Sequence, residues 1–192
     1  SMVSPRVYKA MHEMLQASEL STSQKLLCQT ILILAYRTGM RINELAGIKL
    51  KNIKNLSDIS VVLTPNPYLR LKSSSAKRRV LLVALLKKDE LKILTLFIAQ
   101  QQRMGASYLF SQGASRQPLP TYFFSNLMRI LWDGVLGQDN HNYTFHSFRH
   151  TAISQLALAI NGSALAEVMT DYTLDECQNI ADSLAGYHQN QG

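Results

Sequence analysis

Between Ser21 and Gly39 the chain carries a run that can be placed in only one kind of structure. Ser21-Thr22-Ser23-Gln24 is a capping-box pattern that opens a helix. The helix then runs through Leu26, Leu27, Ile31, Leu32, Leu34 and Ala35 and is apolar most of the way round. Such a helix belongs inside a protein, with other elements packed about it. It stops at Thr38-Gly39, where Gly39 can take the left-handed conformation that ends helices.

The surrounding helices are legible by the same spacing. Val3–Leu20 sets Val7, Met11, Met14 and Leu15 on one side, and Lys88–Arg103 does so with Leu91, Leu94, Phe97 and Ile98. Thr121 opens a helix carrying Phe124, Leu127, Met128, Leu131 and Trp132. Tyr108-Leu109-Phe110 is a short buried stretch. Asn142 and Thr144 are candidate caps for a helix with Phe145, Phe148, Ala152, Ile153, Leu156 and Ile160 at helical spacing. Ala164–Met169 and a capping box at Thr173-Leu174-Asp175-Glu176 predict two more. Strand signals fall in the middle: β-branched Ile59–Thr64, alternating Tyr68–Lys72, and Arg79–Ala84 after the polar tip Ser73–Lys77. The expected class is mainly α with a small three-stranded antiparallel sheet, an α+β domain.

The 192 residues suffice for one domain with a real core, and 46% hydrophobic against 17% charged residues describes a globular chain. Ser1-Met2 reads as a cloning remnant and residues 3–192 as a single domain. No apolar run is long enough to span a bilayer. Cys28 and Cys177 lack metal-ligand spacing and read as buried thiols of a reducing compartment. The formal charge is +7, and it is localised. Lys49–Lys92 holds eleven basic and three acidic residues, a balance of +8, leaving −1 for the remainder. A concentrated basic surface points to a polyanion. Because the segment reads as strands and not as an amphipathic basic helix, nucleic acid fits better than a membrane.

Three places carry side chains suited to phosphate chemistry. His146 and Arg149, three apart, have Cβ atoms about 5–6 Å apart on one helix face, so a proton donor stands near a fixed cation. Arg41 follows the Gly39 break and precedes the short helix Asn43-Glu44-Leu45-Ala46. It is either a structural partner of Glu44 or a preorganised anion ligand. Lys72 ends a strand beside the basic tip Lys77-Arg78-Arg79, where it can serve as a point charge or a proton donor.

Taken in order, these parts resemble the catalytic domain of the tyrosine recombinases, the phage-integrase family. The carriers are Thr38-Gly39-Met40-Arg41-Ile42-Asn43-Glu44-Leu45, the sheet with Lys72, and His146-Ser147-Phe148-Arg149-His150-Thr151-Ala152. The resemblance runs from about Leu20 to the end. It implies that Arg41 and Arg149 are the two catalytic arginines, with Glu44 accompanying the first. It makes Lys72 the catalytic lysine, His146 the histidine of the His-x-x-Arg motif, and Lys77, Arg78 and Arg79 DNA-binding residues. It implies cleavage and rejoining of double-stranded DNA through a 3′-phosphotyrosyl link, with no metal or nucleotide cofactor. Protomers are expected to assemble as a tetramer on DNA, in the bacterial cytoplasm at the nucleoid. A separate N-terminal DNA-clamping domain is expected outside this chain.

The sequence departs from the family at its end. Leu184-Ala185-Gly186-Tyr187-His188 looks like the family's glycine element, with Tyr187 where a histidine usually stands. The nucleophile is then beyond Gly192, or Tyr187 itself, or Tyr172. Two other readings of the chain stay open: a DNA-binding module with a decayed or regulatory site, and an enzyme like the type IB topoisomerases that relaxes supercoils by similar chemistry.

Overall fold

Ser21 starts the central helix as its sequence predicts. In the computed structural model its Oγ accepts the Gln24 amide at 3.2 Å, and its own amide donates to Gln24 Oε1 at 3.0 Å. The helix, α2 (Thr22–Thr38), ends at Gly39 with φ 63°, and from Cys28 to Ala35 its side chains are buried all round. The structure describes residues 2–54, 60–63, 78–138 and 143–161. Around α2 stand α1 (Pro5–Ala17), α3 (Ile42–Ala46), α4 (Leu82–Leu85), α5 (Lys88–Arg103), α6 (Thr121–Leu136) and α7 (His146–Asn161). Each contacts α2. Fully buried Ile31, Leu32, Ile33 and Leu34 meet Met11 of α1, Leu94 and Phe97 of α5 and Phe148 of α7 in one core. Each such side chain contributes about 1.5–3 kcal/mol on leaving water. Tyr108, Leu109 and Phe110 are buried as expected, with the Leu109 amide donating to the Ile48 carbonyl at 2.9 Å. Among the described residues no helix is long and apolar enough to cross a membrane.

The α+β expectation is corrected. The described residues form a helical domain carrying only short β segments: β1 (Ile53–Lys54), β2 (Ser60–Leu63) and β3 (Arg78–Leu81), antiparallel in that order. The sheet expected of Ile59–Thr64, Tyr68–Lys72 and Arg79–Ala84 is not this arrangement. Its first partner is Ile53, delivered opposite Val61 by the 3-10 turn Leu50–Asn52. The last expected strand breaks at Leu81 and turns helical. Leu82 and Leu86, four apart, are both buried, and the Leu86 amide bonds the Leu82 carbonyl at 2.9 Å. A buried i, i+4 pair draws the backbone into a helical turn despite the β-branched residue between them. Tyr68–Lys72 lies outside the described residues, as do the helices expected at Ala164–Met169 and after Thr173.

Helix α1 is fastened by a polar cluster that the apolar periodicity does not announce. The Tyr8 hydroxyl donates to Glu90 Oε2. Arg37 Nε donates to the same carboxylate at 2.9 and 3.2 Å, and the Lys87 amide to Glu90 Oε1 at 2.9 Å. Tyr8 stacks on Tyr36 at 3.8 Å, and the Arg37 guanidinium lies over both rings. Burial, then the bond to Glu90, pushes the Tyr8 phenol well above its usual range. Burial also lowers the His12 imidazole, whose ring meets Tyr8 edge-on at 4.6 Å. Cys28 is a free buried thiol that desolvation raises to about 11, so it is protonated and inert. Cys177 lies outside the described residues.

Candidate active site at the crossing of α2 and α7

Gly39 sets the distance between the two halves of the site. A Cβ built on it would lie 2.8 Å from Ala152 Cβ and 3.2 Å from Arg149 Cα. Both contacts are with α7, so glycine is needed here for close approach as well as for its φ of 63°. The turn is held by the Gly39 amide on the Ala35 carbonyl at 3.2 Å and the Met40 amide on Thr38 Oγ1 at 3.2 Å. Arg149 Nη1 donates to the Gly39 carbonyl at 3.4 Å. Arg41 follows two residues later, no more than about 7.6 Å along the backbone. Two positions separated by 108 residues of sequence are thus brought to one turn.

Arg41 is the N-cap residue of α3. Its amide donates to Glu44 Oε1 at 2.8 Å, and its carbonyl accepts the Leu45 amide at 3.0 Å. Its Nη1 stands 3.9 Å from the same Glu44 oxygen, and its side chain is 39% exposed against 4% for Glu44. The buried carboxylate therefore caps the helix and fixes the Arg41 backbone, while the guanidinium extends toward solvent. The sequence left open an ion pair or an anion ligand; the structure shows the ion pair with Glu44 at 3.9 Å together with a side chain that is 39% exposed.

Helix α7 is seated by Phe148, which is fully buried, stacks on Trp132 at 5.3 Å and meets Tyr36 edge-on at 6.5 Å. The helix begins at His146; Asn142, one expected cap, lies outside the described residues. At the start, Ser147 Oγ accepts the Thr144 amide at 3.0 Å, and the Ser147 amide donates to the Thr144 carbonyl at 2.9 Å. The two members of the His-x-x-Arg pair differ in setting. His146 is exposed, with its ring edge-on to exposed His150 at 4.6 Å, whereas Arg149 is buried. A buried guanidinium, a half-exposed guanidinium and an exposed imidazole can supply fixed positive charge and a group that moves a proton.

Not every residue singled out from the sequence can be placed. Lys72, Lys77, Tyr172 and Tyr187 lie outside the described residues. For Arg78 and Arg79 the backbone is described: they pair with Leu63 and Val62 across β3 and β2. The sequence reading missed the second duty of Gly39, which it took as a helix stop alone. Ala152, nearly two turns into α7 and small enough for a close crossing, was the available signal.

The model of the phage integrase family matches residues 4–171. The chain belongs to the phage integrase family. A search of curated proteins finds no match. Among solved structures, XerA recombinase is similar at 18% identity and a TM-score of 0.61, over 99% of this chain and 64% of that one. XerH recombinase, in a post-cleavage complex with a palindromic difH substrate, aligns over 100% of this chain and 52% of its own, at 16% identity and a TM-score of 0.64. The lambda integrase catalytic core aligns over 88% of this chain and 90% of its own, at 18% identity and a TM-score of 0.52. The chain therefore spans about half to two thirds of the two recombinases and nearly all of a catalytic core.

Proposed function

We propose that this chain is the catalytic domain of a site-specific DNA recombinase, occupying residues 3–192 and working in the whole protein beside a DNA-clamping domain. The observation that carries the reading is the junction of Arg149 with Gly39, two residues before Arg41, in a chain of the phage integrase family. Duplex DNA is the substrate, a reading supported by the localised positive charge and by the likeness to XerH seated on a difH substrate.

In the proposed reaction a tyrosine hydroxyl attacks the phosphorus and forms a P–O bond while the bond to the 5′ oxygen breaks. Arg41 and Arg149 hold the non-bridging oxygens, on which charge accumulates in the transition state. Lys72 or His146 delivers a proton to the departing 5′ oxygen. The phosphotyrosyl ester conserves the bond energy, and the 5′ hydroxyl of a partner strand reverses the step. Lys77, Arg78 and Arg79 hold flanking phosphates, and four protomers assemble on the DNA.

The test uses the full-length protein and nicked duplexes of randomised sequence, with covalent protein–DNA complexes trapped in detergent. Wild type forms them; Arg41→Ala or Arg149→Ala lowers the rate about 10²–10³-fold, the usual cost of one transition-state donor, with duplex affinity little changed. Undiminished attachment in either variant overturns the assignment. Mass spectrometry of the trapped peptide then identifies the nucleophile as Tyr187, Tyr172 or a residue past Gly192.

A further inference from the structure

The amide of Val3, two residues ahead of α1, donates to Thr151 Oγ1 at 2.7 Å across 148 positions of sequence. The Thr151 hydroxyl donates in turn to the Ser147 carbonyl at 2.7 Å. An amide only donates and a carbonyl only accepts, so the direction of this relay is fixed. Val3, Thr151 and Ser147 are 1%, 3% and 3% exposed, so water does not substitute for any of them. A threonine that bonds back to its i−4 carbonyl tends to bend its helix. Here the Val3 amide fixes that bond from outside.

The place of the relay gives it meaning. Ser147 lies between His146 and Phe148, and Thr151 lies two residues after Arg149. The relay therefore ties down the turn of α7 that presents both candidate catalytic side chains. Its outer anchor is rigid. Ser4 caps α1 by accepting the Val7 amide at 3.2 Å, and Tyr8 locks α1 to Tyr36 and Glu90. Helix α1 also lies so close to α6 that a Cβ on Gly134 would meet Met14 at 2.5 Å. A second tie runs from Tyr36, on which Tyr8 stacks, to Gln155 Nε2 at 2.9 Å. Thr151 and Gln155 are four apart, on one face of α7. The segment ahead of α1 and Tyr36 of α2 thus hold α7 at two successive turns.

We propose that Thr151 is a positioning residue: its hydroxyl, joining the Val3 amide to the Ser147 carbonyl, holds α7 at the height that sets Arg149 on the Gly39 carbonyl beside Arg41. The catalytic consequence rests on the recombinase reading, whereas the mechanical one rests on the contacts alone.

Two variants of the full-length protein separate these. Thr151→Val removes the hydroxyl at nearly constant volume, and Thr151→Ser keeps it. Amide hydrogen exchange over residues 146–153 reads the mechanical part. Single-turnover covalent attachment at saturating nicked duplex, together with duplex affinity, reads the catalytic part. In Thr151→Val the α7 amides exchange at least about tenfold faster while those of α5 stay put. Attachment slows at least about tenfold with affinity within about twofold, and Thr151→Ser restores both. Unchanged α7 exchange overturns the proposal whatever the reaction proves to be. Faster exchange with wild-type attachment also overturns it, because the hydroxyl is then merely structural. Should Thr151→Val not fold, Val3→Pro deletes the donor from the other end, and the same two losses are required of it. Wild type that forms no covalent link sinks the recombinase reading itself, and the exchange result then decides the relay alone.

Discussion

Arg37 and Arg41 lie four residues apart, one in the last turn of α2 and one at the start of α3, and the fold treats them in opposite ways. Arg37 is saturated. Two bonds tie its Nε to Glu90, two tyrosine rings face its guanidinium, and its side chain is 16% exposed. Arg41 has its backbone fixed by Glu44, while its guanidinium stands 3.9 Å from that carboxylate and 39% exposed. A guanidinium held by a buried carboxylate and two rings joins elements together. One whose backbone is anchored and whose side chain is 39% exposed is a candidate anion ligand. The Gly39 turn between them changes the chain's direction and so separates a structural cation from a candidate catalytic one.

The largest effect expected is at the shared carboxylate. Glu90→Ala strips Arg37, the Tyr8 hydroxyl and the Lys87 amide of their common acceptor, leaving a part-buried cation uncompensated. Breaking a buried pair from one side costs about 3–5 kcal/mol. Chemical denaturation should show that loss, with the unfolding midpoint falling and the denaturant slope unchanged. A loss below about 1 kcal/mol would break the comparison, since Arg37 would then be no more structural than a surface charge.

Arg41→Ala is the converse. Its stability should stay within about 0.5 kcal/mol of wild type, as for other exposed side chains. Covalent attachment to nicked duplex should fall about 10²–10³-fold, a barrier increase of about 2.7–4 kcal/mol. If Arg41→Ala instead unfolds the protein, Arg41 belongs with Arg37 and the contrast disappears.

The same contrast explains what could be read from the sequence. Features carried by neighbouring residues were legible: the Ser21 capping box, the left-handed Gly39, and α5 at Lys88–Arg103. Glu90 was not, because it looks like an ordinary first-turn acid of α5. Its partners Tyr8 and Arg37 stand 82 and 53 positions away, and no periodicity links them. The strand expected at Arg79–Ala84 stops at Leu81 because the buried Leu82 and Leu86 outweigh local β preference. For Arg41 the sequence supplied both alternatives, and the structure adds the distance that bears on them, 3.9 Å from Glu44 with the side chain 39% exposed.

Gly39→Ala probes the hinge between the two arginines. A methyl there must adopt a left-handed backbone, at about 1–2 kcal/mol, and displace Ala152 from a 2.8 Å contact. Overpacking adds about 1–3 kcal/mol. The melting temperature should fall by several degrees, at about 2–4 °C per kcal/mol for a chain of this size. Attachment should suffer beyond the stability loss, because α7 and Arg149 are pushed off the turn that leads to Arg41. Gly39→Ala combined with Ala152→Gly should recover part of both. No recovery would show that backbone strain alone, and not the crossing with α7, makes glycine necessary.

The smallest effect concerns whether the Arg37 cluster is as closed as its contacts suggest. His12 faces Glu90, Asp89 and Arg37 beside the Tyr8 ring. The carboxylates pull its proton affinity up and Arg37 pushes it down, but burial is the largest influence, and the imidazole is lowered. The unfolded chain takes up that proton near the ordinary value of about 6.5, and the folded chain only at lower pH. Below about 6.5 the unfolded state therefore binds more protons, and folding loses stability. The contribution is complete above that pH, declines as the pH falls through it, and levels off below the folded value. Thermal melts from pH 8 to pH 5 should show wild type losing ground to His12→Gln on acidification, by about 2 °C or less. The opposite trend, wild type gaining on the variant as protons bind, would mean that Glu90 still has charge to offer His12. Arg37 would then not saturate its carboxylate, and the cation held by the fold would differ from Arg41 only in degree.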